Sequence, residues 1–379
     1  MNRVWSAESV TEGHPDKVAD YIADSILDAH LERDPDCRVA CEVLCKGRDV
    51  VLAGEITSTA TVDLPTIVRE TVREIGYTNP EDPFNAEGLK VTQFLTPQSR
   101  EIEDAVHDEG GPEDQLGAGD QGIMVGYATA ETPQLMPSPV VLAHGLSRGL
   151  ADARKSDEVA WLRPDGKTQV SVEYRDSRPA RVTRVIVSTQ HAPGMEQRVI
   201  EAFVREQLAP RVLGDWSDEE TVFTVNPSGS FEQGGPSADS GLTGRKIIVD
   251  TYGPFAHHGG GSFSGKDPTK VDRSGAYFAR YVTRQTVRAG LAERAEVQVA
   301  YAIGMAEPVA LSVDTFGTGD AKAAADFVKQ YDFRPAAIIE ALGLRRPIYR
   351  LTTNYGHFGK LELPWERGDE DVAVPIADV

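Results

Sequence analysis

The sequence predicts an α+β fold: three similar units, each a mixed sheet covered on one face by helices, in a pseudo-threefold arrangement. Two observations carry this. A helix–strand–strand–helix order recurs three times along the 379 residues, at intervals of about 130. The strand-like runs are β-branched and alternating, whereas the helical runs keep apolar residues three and four apart. No residue-level repeat accompanies the repeated order.

In chain order, a helix opens at Pro15 or Asp16 and runs to about Arg33. Val18, Ile22, Ile26 and Ala29 lie along one face, and Pro35 ends it. Strands follow near Arg38–Leu44 and Val50–Ile56. A helix covers Leu64–Ile75, with Pro65 in its first turn and Gly76 just past its end. A short strand, Leu89–Phe94, leads into an acidic, glycine-bearing segment, Gln98–Gly119, long enough to be a lid or a linker. The order then recurs with a helix at Pro139–Arg154, strands at Gln169–Tyr174 and Arg181–Thr189, a helix at Glu196–Val212 and a strand at Thr221–Val225. The third round has a helix at Ser274–Ala289, strands at Glu296–Ile303 and Val309–Thr315, and helices at Ala321–Gln330 and Pro335–Leu342. The acidic tail from Trp365 has little pattern and reads as peripheral. These elements suggest an N-terminal domain over 1–100, a lid over 101–119, a central domain over 120–232 and a C-terminal domain over 233–379.

The net charge of −20 argues against nucleic acid or an anionic membrane as partner, and makes any local cluster of Lys and Arg informative. No apolar run approaches the ~20 residues of a membrane span, and the N-terminal stretch lacks a charged-then-apolar signal, so a cytoplasmic protein is expected. The three cysteines, Cys37, Cys41 and Cys45, are too few for a disulfide framework and share one face of a strand; the C-x3-C-x3-C spacing suggests a metal or iron–sulfur site, against the stronger reading of small buried thiols.

Chemistry concentrates in His257–Ser274, HHGGGSFSGKDPTKVDRS. Glycines let backbone N–H groups approach a ligand closely. Lys266 and Lys270 bring positive charge, and Asp267 and Asp272 could hold a divalent cation. A metal-bound polyphosphate suits such a loop, although Asp267 after Gly265-Lys266 departs from the usual P-loop. The competing reading is a surface loop with solvated charges.

Four other loops share this character. Glu12-Gly13-His14-Pro15-Asp16-Lys17 precedes a helix, where His14 is a donor and Asp16 a metal ligand, or Asp16 caps the helix and His14 lies on the surface. Gly117–Gly122 is a tight turn. In Leu162–Lys167, Asp165 suits ribose hydroxyls and Lys167 phosphate, or Pro-Asp-Gly is a turn feeding a strand. Arg245 and Lys246 stand just before the apolar run Ile247–Val249, read as a buried strand, and Phe231 offers a face for a base. Together these loops favour a nucleotide polyphosphate with divalent metal.

The motifs ESVTEGHPDK (Glu8–Lys17), GAGDQG (Gly117–Gly122), WLRPDGK (Trp161–Lys167), GLTGRKIIVDTYG (Gly241–Gly253) and HGGGSFSGKDPTKVDRS (His258–Ser274) closely resemble those of the methionine adenosyltransferase family, over about Ser6 to Trp365. The resemblance implies synthesis of S-adenosylmethionine from ATP and L-methionine, with hydrolysis of the triphosphate to pyrophosphate and phosphate. It implies that His14 contacts ATP near the breaking bond. Lys167, Arg245, Lys246 and Lys266 hold phosphates, with Lys270 among the catalytic cations. Asp165, Ser230, Phe231, Asp239 and Ser262 contact the nucleotide. Glu55, Gln98, Asp239, Lys270 and Ile303 surround methionine. Asp16 and Asp272 bind two Mg²⁺, and Glu42 binds K⁺. It also implies a homodimer or homotetramer with sites at the subunit interface, and strands exchanged between the units.

Departures from the family pattern fall at Arg100 and Glu101 in the lid entrance, at Ser230, Glu232 and Gln233 near the adenine, at Ala238, and at Ser262. They point to a pocket more permissive toward nucleotides and methionine analogues. An inactive homologue that binds nucleotide or S-adenosylmethionine is the alternative, but His14, Asp16, Lys167, Lys266 and Asp272 are all present.

Overall fold

The computed structural model describes residues 3–99, 116–156 and 158–368. Of the lid expected over 101–119, residues 101–115 lie outside them, as do Arg100 and the tail from 369. The described chain is α+β, with three sheets. The first runs β4 (Lys90–Thr96), β3 (Asp49–Thr57), β2 (Arg38–Lys46), β9 (Gly241–Leu242). The second runs β1 (Arg3–Val10), β6 (Leu162–Arg175), β7 (Arg178–His191), β8 (Val222–Val225). The third runs β11 (Ala310–Asp314), β10 (Arg294–Tyr301), β5 (Gly122–Thr129).

Each sheet takes one strand from another third of the chain. β1 pairs antiparallel with β6, from Arg3 opposite Tyr174 to Val10 opposite Lys167. β5 pairs with β10, and β9 pairs with β2 through Leu44 and Leu242. The exchange sets each site loop beside a distant strand. The chain leaving β1 carries His14 and Asp16 straight onto the strand of Asp165 and Lys167. Tyr77 Oη donates to the Gly13 carbonyl at 2.5 Å and Thr11 Oγ1 to the Pro164 carbonyl at 2.6 Å, fixing that contact.

Two cores result. One joins the helix Pro15–Leu31, the buried face of β2 and β3 and the helix Val271–Arg288. The other lies between β6–β7 and the helices Ser138–Lys155 and Gln197–Leu213. Cys37, Cys41 and Cys45 are buried free thiols in the first core, and burial raises all three. No helix among the described residues is long and apolar enough to cross a membrane.

Local signals placed most boundaries well. The helix Leu64–Ile75 is capped by Asp63, whose carboxylate accepts the Thr66 amide, and stops at Gly76 with φ +107°. Other elements differ from expectation. Leu162–Lys167 is not a turn but the start of β6, with Pro164 accommodated at a register shift between Leu162 and Gly166. Ile247–Val249 is not a buried strand. It begins a one-turn helix, Ile247–Asp250, with Ile248 exposed. The turn closes through the Asp250 amide on the Lys246 carbonyl at 2.8 Å, and the Asp250 carboxylate is held by buried Lys17 at 2.5 Å. The helix at Glu196–Val212 widens to a π-turn at Val204–Leu208 just before Pro210, which lacks an N–H and crowds the carbonyl four residues back.

Trp365 is not peripheral. It is fully buried, stacked on Tyr277 at 3.7 Å, and beside it Glu366 takes both forks of Arg280 at 2.9 Å. On the same helix Arg273, fully buried, clamps Asp24 at 2.7 and 2.9 Å. Removing one partner of such a pair strands a buried charge. Arg273→Met is expected to cost about 3–5 kcal/mol in urea unfolding. A cost near the ~1 kcal/mol of an exposed pair would contradict that reading.

Candidate active site

The helix Pro15–Leu31 is buried nearly all round, so its charges must find partners inside the protein. Asp16, Asp20, Asp24 and Asp28 recur every four residues and share one face. Each accepts backbone amides from far along the chain, between Leu242 and Arg350. Asp16 takes Leu242 N at 3.1 Å and Asp20 takes Gly244 N at 2.9 Å. Asp24 takes Gly265 N at 2.9 Å, and Asp28 takes Tyr349 N at 3.0 Å and Arg350 N at 2.9 Å. Burial pushes the Asp28 carboxyl up to about 7, against the pull of its two amides.

At the N-terminus of this helix the cap is His14 rather than Asp16. His14 is buried, and its Nδ1 accepts the Asp16 amide at 3.2 Å, which leaves the proton on Nε2. Burial, with the fields of Lys246 and Lys167 behind it, holds this imidazole down to about 3, so His14 is neutral at physiological pH. The Asp16 carboxylate is free for a cation: Lys246 Nζ sits 2.5 Å from Oδ2 and Arg245 Nε 3.6 Å from Oδ1. Burial raises Asp16, but the Lys246 and Leu242 hydrogen bonds outweigh it and leave the carboxyl below its ordinary value. Lys167 extends from β6 into solvent. Two residues earlier Asp165 is buried and accepts Gly235 N at 2.7 Å, with burial raising it to about 6.

The glycine-rich loop makes a second cationic group. Gly265, with φ +81°, turns the chain so that its amide meets Asp24. Lys266 follows and pairs with Asp272. At Gly259 a Cβ would lie 1.7 Å from the Ile123 carbonyl oxygen, and at Gly261 2.5 Å from Asp272, so the loop lies where only glycine fits. Lys270 pairs with Asp267 at 2.5 Å. Asp267 is not a metal ligand here: it is fully buried, with its oxygens on Val39 N, Thr269 and Lys270. Ser262 lies against Gly244, joining this loop to the one carrying Arg245 and Lys246. Ala40 pairs with Glu55 on one side and bridges Lys266 on the other.

The remaining residues lie around these groups. Glu42 is exposed and accepts from the Thr243 hydroxyl. Ile303, exposed, bridges Ala118, and Gly119 approaches the Thr269 carbonyl. Gln98 donates its amide to Thr57 Oγ1 at 2.9 Å. Phe231 donates its amide to His191 Nε2 at 3.0 Å and accepts the His191 amide on its carbonyl at 3.0 Å, and Ser230 and Asp239 are exposed on either side. Thus His14, Asp16, Arg245 and Lys246 meet directly, as do Lys266 and Asp272. No hydrogen bond or ion pair among the described residues joins the Asp165–Phe231 group to the Lys266–Asp272 pair. Among the described residues no three His, Cys, Asp or Glu side chains converge as a closed metal site. Asp16 and Asp272 fit instead an ion that takes one carboxylate and fills its other positions with phosphate and water, as Mg²⁺ does. Glu42 and the Thr243 hydroxyl fit a monovalent cation's need for oxygen donors. Sequence reasoning missed Lys17, Asp20 and Asp24 as parts of the site. Their signal was the four-residue spacing of aspartates on a helix with apolar neighbours.

Comparison with known proteins decides the family. Models described as the N-terminal, central and C-terminal domains of S-adenosylmethionine synthetase match residues 2–100, 115–231 and 233–367. The chain belongs to the S-adenosylmethionine synthetase family. It is 53% identical to the S-adenosylmethionine synthase of Sorangium cellulosum over 371 residues, 96% of this chain and 87% of that one. It is 52% identical to that of Clostridium acetobutylicum over 391 residues, 99% of each, and 53% identical to that of Desulforudis audaxviator over 380 residues, 97% and 96%. All five motifs fall inside these matched spans.

The state of His14 can be read directly. Because folded His14 resists protonation, unfolding takes up a proton below pH ~6.5, so its contribution to stability falls as pH drops from there toward about 3. The ¹⁵N shifts of His14 are expected to stay at neutral-imidazole values from pH 8 down to 5. A titration centred near 6.5 would contradict its burial as a neutral cap.

Proposed function

We propose that the protein joins ATP and L-methionine to form S-adenosyl-L-methionine, then cleaves the released triphosphate to pyrophosphate and phosphate. The observation that carries this is the pairing of two carboxylates, Asp16 and Asp272, with Lys246 and Lys266 in glycine-punctuated loops. A nucleotide bringing metal and phosphate together replaces both halves of each pair: metal takes the carboxylate and phosphate takes the ammonium.

In the first step the methionine sulfur forms a bond to ribose C5′ and the C5′–O bond breaks, its electron pair leaving with triphosphate. A thioether has no proton to lose, so no general base is needed. The difficulty lies with the leaving group, which carries about four negative charges, and preorganised cations address it. Lys167, Arg245, Lys246, Lys266 and Lys270 supply them. Neutral His14 keeps its Nε2 proton and can donate to an oxygen near the breaking bond. Water then cleaves one P–O–P link of the triphosphate. Asp165, Ser230, Phe231, Asp239 and Ser262 hold the nucleoside, and Glu55, Gln98, Asp239, Lys270 and Ile303 surround the amino acid. Asp16 and Asp272 would hold two Mg²⁺, which neutralise phosphate charge when bound, and Glu42 would hold K⁺. A homodimer or homotetramer, with each site completed by a second subunit, is part of the proposal. The domain divisions near 100, 119 and 232, and a cytoplasmic location, belong to the same reading.

Mass spectrometry of products from ATP, L-methionine, Mg²⁺ and K⁺ tests the reaction. S-adenosylmethionine with pyrophosphate and phosphate is expected, reduced by about a hundredfold or more in Lys266→Ala. ADP or AMP as product, or tight nucleotide binding without turnover, would show another reaction or an inactive homologue. The sequence departures at Ser230, Glu232, Gln233 and Ser262 should give kcat/KM values for GTP and ethionine comparable to those for ATP and methionine. Strict discrimination would refute a permissive pocket.

A further inference from the structure

We infer that Asp20 is a positioning residue for the phosphate-binding pair Arg245–Lys246, acting through the Gly244 amide. The inference rests on the reading of Arg245 and Lys246 as phosphate ligands. Asp20 is fully buried, one turn along the helix from Asp16, and its Oδ1 accepts Gly244 N at 2.9 Å. Gly244 has φ +71°, and a Cβ there would meet the Ser262 side chain at 2.7 Å, so the backbone at this point is tightly specified. Lys17, also buried, bridges Asp20 Oδ2 at 3.0 Å and Asp250 Oδ1 at 2.5 Å. Asp250 closes its helical turn by donating its amide to the Lys246 carbonyl at 2.8 Å, and its own carbonyl accepts His357 N at 2.9 Å. The segment Gly244–Asp250 is therefore held at both ends from the helix Pro15–Leu31, with Arg245 and Lys246 between the two anchors.

Asp16 and Asp20 divide the work. The bonds from Lys246 and Arg245 to Asp16 are made by side chains with access to solvent, and they are lost if Asp16 takes a metal. The bond from Gly244 to Asp20 is backbone to buried carboxylate and does not depend on what Asp16 holds. Asp24 repeats the device one turn further on, where its carboxylate takes the amide of Gly265 next to Lys266. The two loops are thus hung from residues four apart, about 6 Å along one helix. A rigid helix then fixes the separation of the two groups of cations, as a triphosphate with charges at fixed spacing requires.

The test compares Asp20→Ala with Asp20→Asn, since Asn keeps an oxygen for Gly244 N and removes the charge. Affinity for the non-hydrolysable analogue AMP-PNP is measured by calorimetry in EDTA and in Mg²⁺, beside KM for ATP, kcat per active site and thermal melting. Orphaning a buried amide should weaken AMP-PNP binding in Asp20→Ala by about tenfold to a hundredfold, with a parallel rise in KM for ATP. Asp20→Asn should return to within about threefold of the wild type, although both variants melt lower. Equal losses in Ala and Asn, or wild-type AMP-PNP affinity in both with only melting lowered, would overturn the positioning role. Gly244→Ala, which shifts the same loop without touching Asp20, should weaken AMP-PNP in the same direction. If Asp20→Ala does not fold, Asp20→Asn and Gly244→Ala carry the test, and wild-type affinity in Gly244→Ala overturns the inference. Wild-type protein that binds AMP-PNP but forms no S-adenosylmethionine would overturn the proposed reaction instead, and the order of the Ala and Asn variants would still decide the role of Asp20.

Discussion

A carboxylate cannot stay buried without donors, and the helix Pro15–Leu31 buries four on one face. Meeting that demand organises the chain. The donors are backbone amides at Leu242, Gly244, Gly265 and Tyr349–Arg350, all more than 220 residues further along the sequence. Each amide so held lies in or beside a loop that the helix thereby fixes. Two of those loops carry the cations of the candidate site. The same contacts give the first and third units a continuous core, whereas the central unit keeps a core of its own. Strand exchange completes the arrangement, because β1 delivers the start of this helix to the strand of Asp165 and Lys167.

Several cations converge at the site proposed for triphosphate, and like charges repel. Here the charges neutralise one another: Lys246 lies on Asp16, Lys266 on Asp272 and Lys270 on Asp267. These pairs differ in kind. Asp267 is fully enclosed by amides, a hydroxyl and Lys270, and its role is to join the glycine-rich loop to Val39 of β2. Asp16 is buried, but its partners Lys246 and Arg245 keep access to solvent, as does Asp272, so these pairs can change partners. The backbone bonds below them, from Gly244 to Asp20 and from Gly265 to Asp24, have no reason to change. A fixed backbone under exchangeable side chains is the preorganisation that leaving-group stabilisation requires.

Much of this was legible in the sequence because its signals were local. The helices Leu64–Ile75 and Pro335–Leu342 have the expected bounds, set by an early proline and a left-handed glycine at the end. The three-unit α+β plan was legible from periodicity and order. What was not legible depends on distant partners. Ile247–Val249 has the composition of a strand, but the turn it forms ends on Asp250, which is held by Lys17, 233 residues earlier. Trp365 sits in an acidic tail that looks dispensable until Arg280 claims Glu366. β9 is two residues long, too short for any alternation. At the site, the motif residues stood out by their glycines and lysines. Asp20 and Asp24 did not, because a buried aspartate and a solvated one look the same in sequence. Only their four-residue spacing beside Val18, Ile22 and Ile26 told them apart.

The most direct measurement is an experimental structure of the protein with AMP-PNP, Mg²⁺ and methionine. Lys246 and Lys266 are expected to leave Asp16 and Asp272 for phosphate oxygens, with the metal taking the carboxylates. The Gly244–Asp20 and Gly265–Asp24 bonds should stay near 2.9 Å. Lysines still seated on their aspartates beside bound nucleotide, or glycine amides pulled off the helix, would contradict a site whose cations are exchanged on a fixed frame.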